Sequence, residues 1–186
     1  VINGIDVGDQ SAYSVSNAGD VNGDGVDDLI VGTFDAGESY VVFGNANDSP
    51  VELSNVAVGN GGFIINGIDA GDYSGFSVSN AGDVNGDGLE DLIVGAFAAS
   101  PNGNSQAGES YVVFGKTNGT AVELSNVAVG NGGFIINGID WRDQSGYSVS
   151  NAGDVNGDGV DDLIIGARTA DPNGNSSAGE SYVVFG

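Results

Sequence analysis

The chain has 186 residues, with 26 acidic against three basic side chains, a formal charge of −23, and 34 glycines against 3 prolines. This charge argues against binding to nucleic acid or to anionic membranes, because phosphate binding needs clustered Lys and Arg. Insertion into a membrane is excluded too, since no apolar run approaches the ~20 residues of a spanning helix. Without Cys or His, the chain lacks disulfides, thiol chemistry and the commonest general base.

Three similar units follow one another along the chain. Each opens with NGID and closes with AGESYVVFG, and the second and third carry a polar insertion, at 100–106 and 171–177. Repetition at a regular interval is the sequence signature of repeat architectures. We therefore predict one unit over 1–186, divided into repeats of about 1–44, 45–115 and 116–186.

Each repeat is predicted to contain four short strands. The first set of four covers 13–19, 28–32, 38–44 and, past the boundary at residue 44, 62–68; these segments are rich in Val, Ile, Tyr and Phe and bounded by Gly, Asn and Asp. The last three are nearly continuous apolar runs, which indicates strands buried on both faces, as in stacked sheets. The predicted fold is all-β, with propeller-type blades of four antiparallel strands.

The chain begins with a strand of the fourth type and ends with one of the third type. We therefore predict that residues 1–6 complete the last blade of this chain or of another, which would remove a bare sheet edge. Propellers usually have four to eight blades, and three repeats are too few to close a ring alone.

An acidic loop, DVNGDG, follows the first strand of every repeat. Counted from its first Asp, oxygen-bearing side chains occupy positions 1, 3, 5 and 9, with Gly25 at the turn and the carbonyl of Val26 at position 7. Calcium takes six to eight hard oxygen ligands, whereas Mg²⁺ prefers a tighter octahedron. The spacing therefore predicts one calcium ion in each repeat, three per chain.

The predicted ligands of each ion are three Asp, one Asn and one backbone carbonyl. They are Asp20, Asn22, Asp24, Val26 and Asp28; Asp83, Asn85, Asp87, Leu89 and Asp91; and Asp154, Asn156, Asp158, Val160 and Asp162. An EF-hand would need Glu at position 12 and flanking helices. Here the flanks are predicted strands, so the position-9 Asp is expected to close the site, and the position-8 side chains Asp27, Glu90 and Asp161 are expected to point away.

The pattern resembles the FG-GAP repeat of the integrin α-subunit β-propeller, and most of all the bacterial integrin-like FG-GAP proteins. The FG element reads YS or FS at Tyr13, Phe76 and Tyr147, and the GAP element reads GTF, GAF or GAR from Gly32, Gly95 and Gly166. The resemblance implies calcium loops on one rim and ligand-contacting loops on the opposite rim. Trp141 and Arg142, in the loop before a first strand, would lie on that ligand rim.

The expected function is a non-catalytic, extracellular or cell-surface module for adhesion, binding a protein or a polysaccharide. Millimolar extracellular calcium would fill sites of modest affinity. The alternative is a self-assembling structural protein, either a homodimer forming a six-bladed ring or a filament, built by strand exchange. Enzyme activity is not expected, because three equivalent loops lack the split environments that acid–base carboxylates need.

Overall fold

The computed structural model describes residues 1–45 and 49–186 as a series of β-sheets. Blade one is antiparallel, in the order β2-β3-β4-β6. Its strands are β2 (Ser14–Gly19), β3 (Asp28–Gly32), β4 (Glu38–Val42) and β6 (Gly62–Asn66). Two short strands, β1 (Ile2–Asn3) and β5 (Val51–Glu52), pair with each other in parallel.

Blade two repeats this arrangement, and blade three has three described strands. Blade two contains β7 (Ser77–Gly82), β8 (Asp91–Ala96), β9 (Glu109–Val113) and β11 (Gly133–Asn137). Blade three contains β12 (Ser145–Gly153), β13 (Asp162–Ala167) and β14 (Glu180–Val184). The predicted all-β fold is confirmed, and the strand bounds in blade one lie within two residues of the prediction.

The link between the third and fourth strands holds a feature that the sequence analysis missed. One-turn helices α1 (Leu53–Val56) and α2 (Leu124–Val127) fill it, preceded by β5 and by β10 (Val122–Glu123), which pairs in parallel with β6. Leu53 and Val56 are buried against the sheet. Tertiary packing stabilises these helices, since a four-residue helix is too short to be stable alone.

The blades stack face to face, with their first strands adjacent. Val78 N–H of blade two donates to Ser14 Oγ of blade one at 3.1 Å, and Val149 N–H of blade three donates to Ser77 Oγ at the same distance. One apolar cluster joins blades one and two, and another joins blades two and three. Burial between sheets explains why the strands are apolar on both faces.

The N-terminal strand does not complete blade three of the same chain. Ile2 pairs with Val51 and Asn3 with Glu52, in the same relation that Ile65 has to Val122 in the next repeat. Completion of another chain's blade stays a prediction. In the part of the chain that the structure describes, no helix is long and apolar enough to cross a membrane.

Candidate functional site

Each acidic loop starts from a β-bulge at the end of a first strand. The ladder between β2 and β3 shifts register between Asn17 and Gly19, where Gly19 N–H donates to Asn17 Oδ1 at 2.5 Å. The same shift occurs at the corresponding Asn of the other two blades. Bulges bend a strand and end its pairing, so each loop leaves its sheet in the same way.

The first carboxylate of the loop organises the backbone around itself. Asp20 Oδ1 accepts N–H bonds from Gly23 at 2.8 Å and Asp24 at 3.0 Å, and its Oδ2 accepts one from Gly25 at 2.9 Å. Gly25 has φ +86°, a left-handed conformation that favours glycine. Asn22 Oδ1 accepts the Asp24 N–H at 2.8 Å. The first, third and fifth positions therefore share one turn.

These bonds also direct side-chain oxygens toward the loop's own N–H groups. Within residues 1–45 and 49–186, no group of three or more acidic side chains is arranged to hold a metal ion as the loops stand. Asp20 Oδ1 accepts two of these bonds, whereas its Oδ2 accepts one and keeps a second lone pair available. The donor set is all oxygen and suits calcium chemically, but the side chains would have to turn from the backbone toward an ion.

The position-9 Asp has a second role that the sequence did not reveal. Asp28 is fully buried, and it accepts N–H bonds from Val21 at 3.1 Å and from Gly44, just beyond β4, at 2.7 Å. Asp91 is bonded in the same way to Val84 and Gly115. The closing carboxylate thus ties the loop to the end of the third strand. A Cβ on Gly44 would lie 2.3 Å from Asp27 O, and this close approach explains the Gly at that position.

Burial and like charges act on this carboxyl in two blades. The pKa of Asp91 is raised to about 7, chiefly by burial and also by the like charges of Asp87 and Asp83, against the lowering effect of its two backbone N–H bonds. The pKa of Asp28 is raised by the same causes, with burial the largest. A bound cation would favour the charged form of both groups.

The position-8 acid of each loop has a hydrogen-bond partner of its own. Glu90 Oε2 accepts the Asn80 Nδ2–H at 2.9 Å, and the same amide also donates to the Ala18 carbonyl of blade one at 2.9 Å. Asp161 accepts from Asn151 in the same manner at 3.1 Å. These acids therefore belong to the contacts within and between blades.

The glutamates of the three AGES segments have a contact that composition alone did not suggest. Glu38 accepts the hydroxyl hydrogen bond of Tyr40 at 2.6 Å, and the corresponding pairs are Tyr111 with Glu109 and Tyr182 with Glu180. Burial, followed by this hydrogen bond, raises the pKa of Tyr111 above its ordinary value. The glutamates are structural acceptors for partly or fully buried phenols.

The opposite rim carries a run of aromatic rings. Strands β2 and β3 are antiparallel, so the segments before β2 and after β3 lie away from the acidic loop. Neighbouring ring centroids are 4.6–6.0 Å apart across blades one to three. The rings are Tyr13, Phe34, Tyr73, Phe76, Phe97 and Tyr147. The signal available in the sequence was an aromatic at one place in all three repeats (Tyr13, Phe76 and Tyr147) and at a second place in two of them (Phe34 and Phe97).

Both arginines lie at this aromatic rim. The Arg168 guanidinium is 3.9 Å from the Tyr147 ring centroid, and the Arg142 guanidinium is 4.3 Å from the ring of the exposed Trp141. The Trp141 loop contacts the blade-two insertion, where Arg142 N–H donates to Ser105 O at 3.0 Å. The loop and the insertion therefore form one surface.

Backbone strain is concentrated on the same rim. Among the described residues, the non-glycine positions with φ in the left-handed region all lie in loops of this rim, with none in the acidic loops. They are Gln10, Ala12, Tyr73, Asn102, Gln106, Arg142, Gln144, Asn173 and Ser177. Such conformations cost of order 1–3 kcal/mol each and cluster at binding sites.

A comparison with known protein families identifies the same three repeats. The FG-GAP repeat matches residues 11–42, 74–113 and 145–184, together more than half of the chain. The chain belongs to the FG-GAP repeat family. Each match covers the first three strands of a blade and the acidic loop, so the resemblance inferred from the motifs is confirmed.

Several integrin α subunits are relatives of this FG-GAP chain. Integrin alpha-5 of Xenopus laevis is 30% identical over 197 residues, which cover 92% of the chain and 17% of the relative. Integrin alpha pat-2 of Caenorhabditis elegans is 29% identical over 188 residues, covering 96% and 14%. A phosphatidylinositol-glycan-specific phospholipase D of Rattus norvegicus is 29% identical over 176 residues, covering 89% and 19%. The chain spans less than a fifth of the length of these relatives.

Proposed function

We propose that this FG-GAP chain is a non-catalytic, calcium-binding module for adhesion that works outside the cell. The observation that carries the proposal is the threefold loop, in which two Asp and one Asn share a single turn and a third Asp closes the loop as a fully buried carboxylate. Like charges so close together repel each other unless a cation is present. The likeness to integrin α subunits supports an adhesion-type propeller module.

The residues proposed to hold calcium are those predicted from the spacing. In the first loop they are Asp20, Asn22 and Asp24, the carbonyl of Val26, and Asp28. Calcium, when bound, would supply the positive charge that the loop lacks. The proposed role is structural, because Asp28 already links the loop to the residue after β4. An ion that binds only the folded chain stabilises it by mass action.

Calorimetric titration of the metal-free chain with calcium tests this assignment. Wild type should bind three equivalents, and Asp87→Ala should bind two, because its loop loses the position-5 carboxylate. Glu90→Ala is the matched control, since it removes an acid from the same loop at a position that bonds to Asn80 instead. It should keep three equivalents. Three equivalents in Asp87→Ala, or none in wild type, would overturn the ligand assignment.

A binding role is preferred to catalysis for the chain. It contains no His and no Cys, and the recurring buried carboxylates already accept backbone N–H bonds. The phospholipase D relatives carry an enzyme's name, but the chain aligns with under a fifth of that protein. We expect no hydrolysis of phosphodiesters or glycosides above buffer rates, in millimolar calcium, and measurable turnover would contradict the proposal.

The aromatic rim is the proposed ligand surface. Trp and Arg are enriched among residues that dominate binding energies, and Trp141 with Arg142 and Arg168 brings an exposed ring and two cations together in an acidic chain. This composition favours a protein ligand over the alternative, a polysaccharide.

Arrays of extracellular proteins and of polysaccharides, probed with labelled chain, test the rim. Trp141→Ala should weaken any specific binding tenfold or more, whereas Val129→Ala, at an exposed apolar residue outside this rim, should not. Equal binding by both variants would place the ligand elsewhere.

A further inference from the structure

The acidic loops of blades one and two lie in direct contact. A Cβ on Gly23 would lie 2.8 Å from Leu89 Cδ2, and a Cβ on Gly19 would lie 2.6 Å from Glu90 Cγ. Val21, beside them, is fully buried and belongs to the apolar cluster between these blades. The loop of blade two therefore covers part of the loop of blade one. We call the acidic loops of the three blades loops one, two and three; they cover 20–28, 83–91 and 154–162.

A single peptide group connects loop two to loop one. Its N–H, from Glu90, donates to the Asp20 carbonyl at 3.3 Å. Its carbonyl is that of Leu89, the backbone oxygen proposed to hold calcium in loop two. Because a trans peptide group is planar, its N–H and its carbonyl point in opposite directions. The bond to Asp20 therefore helps to set the direction of the Leu89 carbonyl, and a Leu89 carbonyl held by an ion would keep this N–H directed at loop one.

The next peptide group carries this connection to the closing carboxylate of loop one. Val21 N–H shares a peptide group with the Asp20 carbonyl and donates to Asp28 Oδ2 at 3.1 Å. Two hydrogen-bonded peptide groups thus join Leu89 to Asp28, which is fully buried. Hydrogen bonds in such a chain strengthen one another in the low dielectric of a protein interior. A change at the Leu89 carbonyl therefore alters the bond to Asp28.

A second connection starts from the closing carboxylate of loop two. Asp91 Oδ1 accepts the Gly115 N–H at 2.9 Å. The N–H of the following residue, Lys116, donates to the Val21 carbonyl at 2.9 Å. Neighbouring N–H groups therefore bind the closing carboxylate of one loop and the backbone of the other. Any movement of Asp91 toward an ion would act on a segment that also holds loop one.

Loops two and three lack the connecting peptide group. The Asp161 side chain lies against Gly82, much as loop two lies against Gly19. Among the described residues, however, the Asp161 N–H does not donate to the Asp83 carbonyl. Loop two also has Leu-Glu at positions 7 and 8, where loops one and three have Val-Asp. The contact between loops two and three therefore serves as an internal comparison for the contact between loops one and two.

We propose that loops one and two bind calcium cooperatively, through the peptide groups between Leu89 and Asp28, and that loop three binds its ion independently. The inference rests on the proposed calcium function and adds a coupling between two of its sites. With the Leu89 carbonyl held in loop two, the Asp20 carbonyl and the Val21 N–H of loop one are already fixed. Loop one then loses less conformational freedom when it binds calcium. By linkage, occupancy of loop one favours binding to loop two by the same factor.

Repulsion between two bound cations acts against this coupling and is the weaker effect. Packed sheets lie ~10 Å apart, whereas the Debye length is about 8 Å in ~0.15 M salt. Each loop also contributes three Asp, so a loop with one divalent ion keeps a net negative charge. The repulsion is therefore screened, whereas the hydrogen-bonded contact between the loops is buried.

Calorimetric titrations of variants with one or two intact loops measure the coupling. Asp24→Ala, Asp87→Ala and Asp158→Ala each remove the position-5 carboxylate of one loop, and pairs of these changes leave a single loop whose affinity is measured alone. Asp158→Ala keeps loops one and two, and its second ion should bind at least about fivefold more tightly than the single-loop affinities predict. Asp24→Ala keeps loops two and three and is the matched control. Its two ions should bind with the single-loop affinities.

Amide hydrogen exchange supplies a second measurement. In the double variant Asp24→Ala/Asp158→Ala only loop two is intact, yet calcium should slow the exchange of the Val21 amide in loop one. The cooperativity in Asp158→Ala should also persist in ~1 M salt, where the Debye length is about 3 Å, because hydrogen bonds between buried peptide groups are not screened.

The possible results separate this inference from the proposed function. Single-loop affinities in Asp158→Ala, equal coupling in Asp24→Ala, an unchanged Val21 exchange rate or loss of the coupling at high salt would each refute the cooperativity and leave the calcium sites as proposed. An absence of calcium binding by wild type would instead refute the proposed function, and this inference with it.

Discussion

The contact between neighbouring blades can be tested with two glycines that have the same backbone conformation and different surroundings. Gly82 has φ +77° and Gly153 has φ +67°. A Cβ on Gly82 would lie 2.0 Å from Asp161 Oδ2 and 2.5 Å from Asp161 Cβ in blade three. A Cβ on Gly153, at the same place in the last blade, would meet nothing within 4 Å. The pair therefore separates backbone strain from the packing between blades.

The expected losses of stability follow from backbone strain and from the packing between blades. An L side chain in the left-handed region costs about 1–2 kcal/mol, and both Gly82→Ala and Gly153→Ala carry this cost. Gly82→Ala also overpacks an interface, at about 1–3 kcal/mol. Asp161 cannot escape by rotating its carboxylate, because its Cβ is in conflict as well. We expect Gly82→Ala to lower the free energy of unfolding by roughly 2 kcal/mol more than Gly153→Ala does. For a chain of this length the difference corresponds to about 4–8 °C in Tm.

Thermal and urea unfolding of both variants, at low micromolar chain in calcium, measure this difference. Equal losses, or a larger loss in Gly153→Ala, would refute the packing of blade two against blade three through Gly82.

Three other predictions rest on single groups. The Ser110 hydroxyl is fully buried without a hydrogen-bond partner, so Ser110→Ala should raise the free energy of unfolding by about 1 kcal/mol, whereas Ser181→Ala, at the exposed equivalent, should change it little. Tyr111 has a raised pKa in the folded chain. Its contribution to the free energy of unfolding is therefore complete below pH 10, where the unfolded chain also keeps this proton, and falls above pH 10 by up to about 1.4 kcal/mol per pH unit. Tyr111→Phe should show a flatter decline in urea titrations between pH 9 and 11.5, and an unchanged slope would contradict this. Asp87→Ala should have a lower Tm than wild type in millimolar calcium and the same Tm as wild type in excess chelator. A difference in Tm that persists in chelator would point to a cause other than calcium.

The sequence predicted most of the fold because its local signals agree with each other. Alternating and apolar runs bounded by Gly, Asn and Asp marked the strands, and the repeated DVNGDG marked the loop between the first two strands. The shared turn of Asp20, Asn22 and Asp24 follows from spacing alone, because a tight loop leaves few ways to place residues two apart. These features depend on neighbours in the chain.

The missed features depend on contacts between distant residues. The helix Leu53–Val56 forms because Leu53 and Val56 pack on a sheet, and no local propensity required it. The N–H that Gly44 donates to Asp28 joins residues that only the third strand brings together. The aromatic rim was readable as a recurrence, but the contact of Phe34 with Tyr73 spans two blades.

By itself, the sequence determined the number of repeats and the strand type of each segment, since both follow from local order and spacing. The oxygen donors of each loop stay a prediction. Tertiary structure decided which faces are covered. Val15, Val78 and Val149 occupy the same place in the repeat, yet only the first is exposed. A repeat cannot encode this difference in its own residues, because burial depends on whether another blade lies against it.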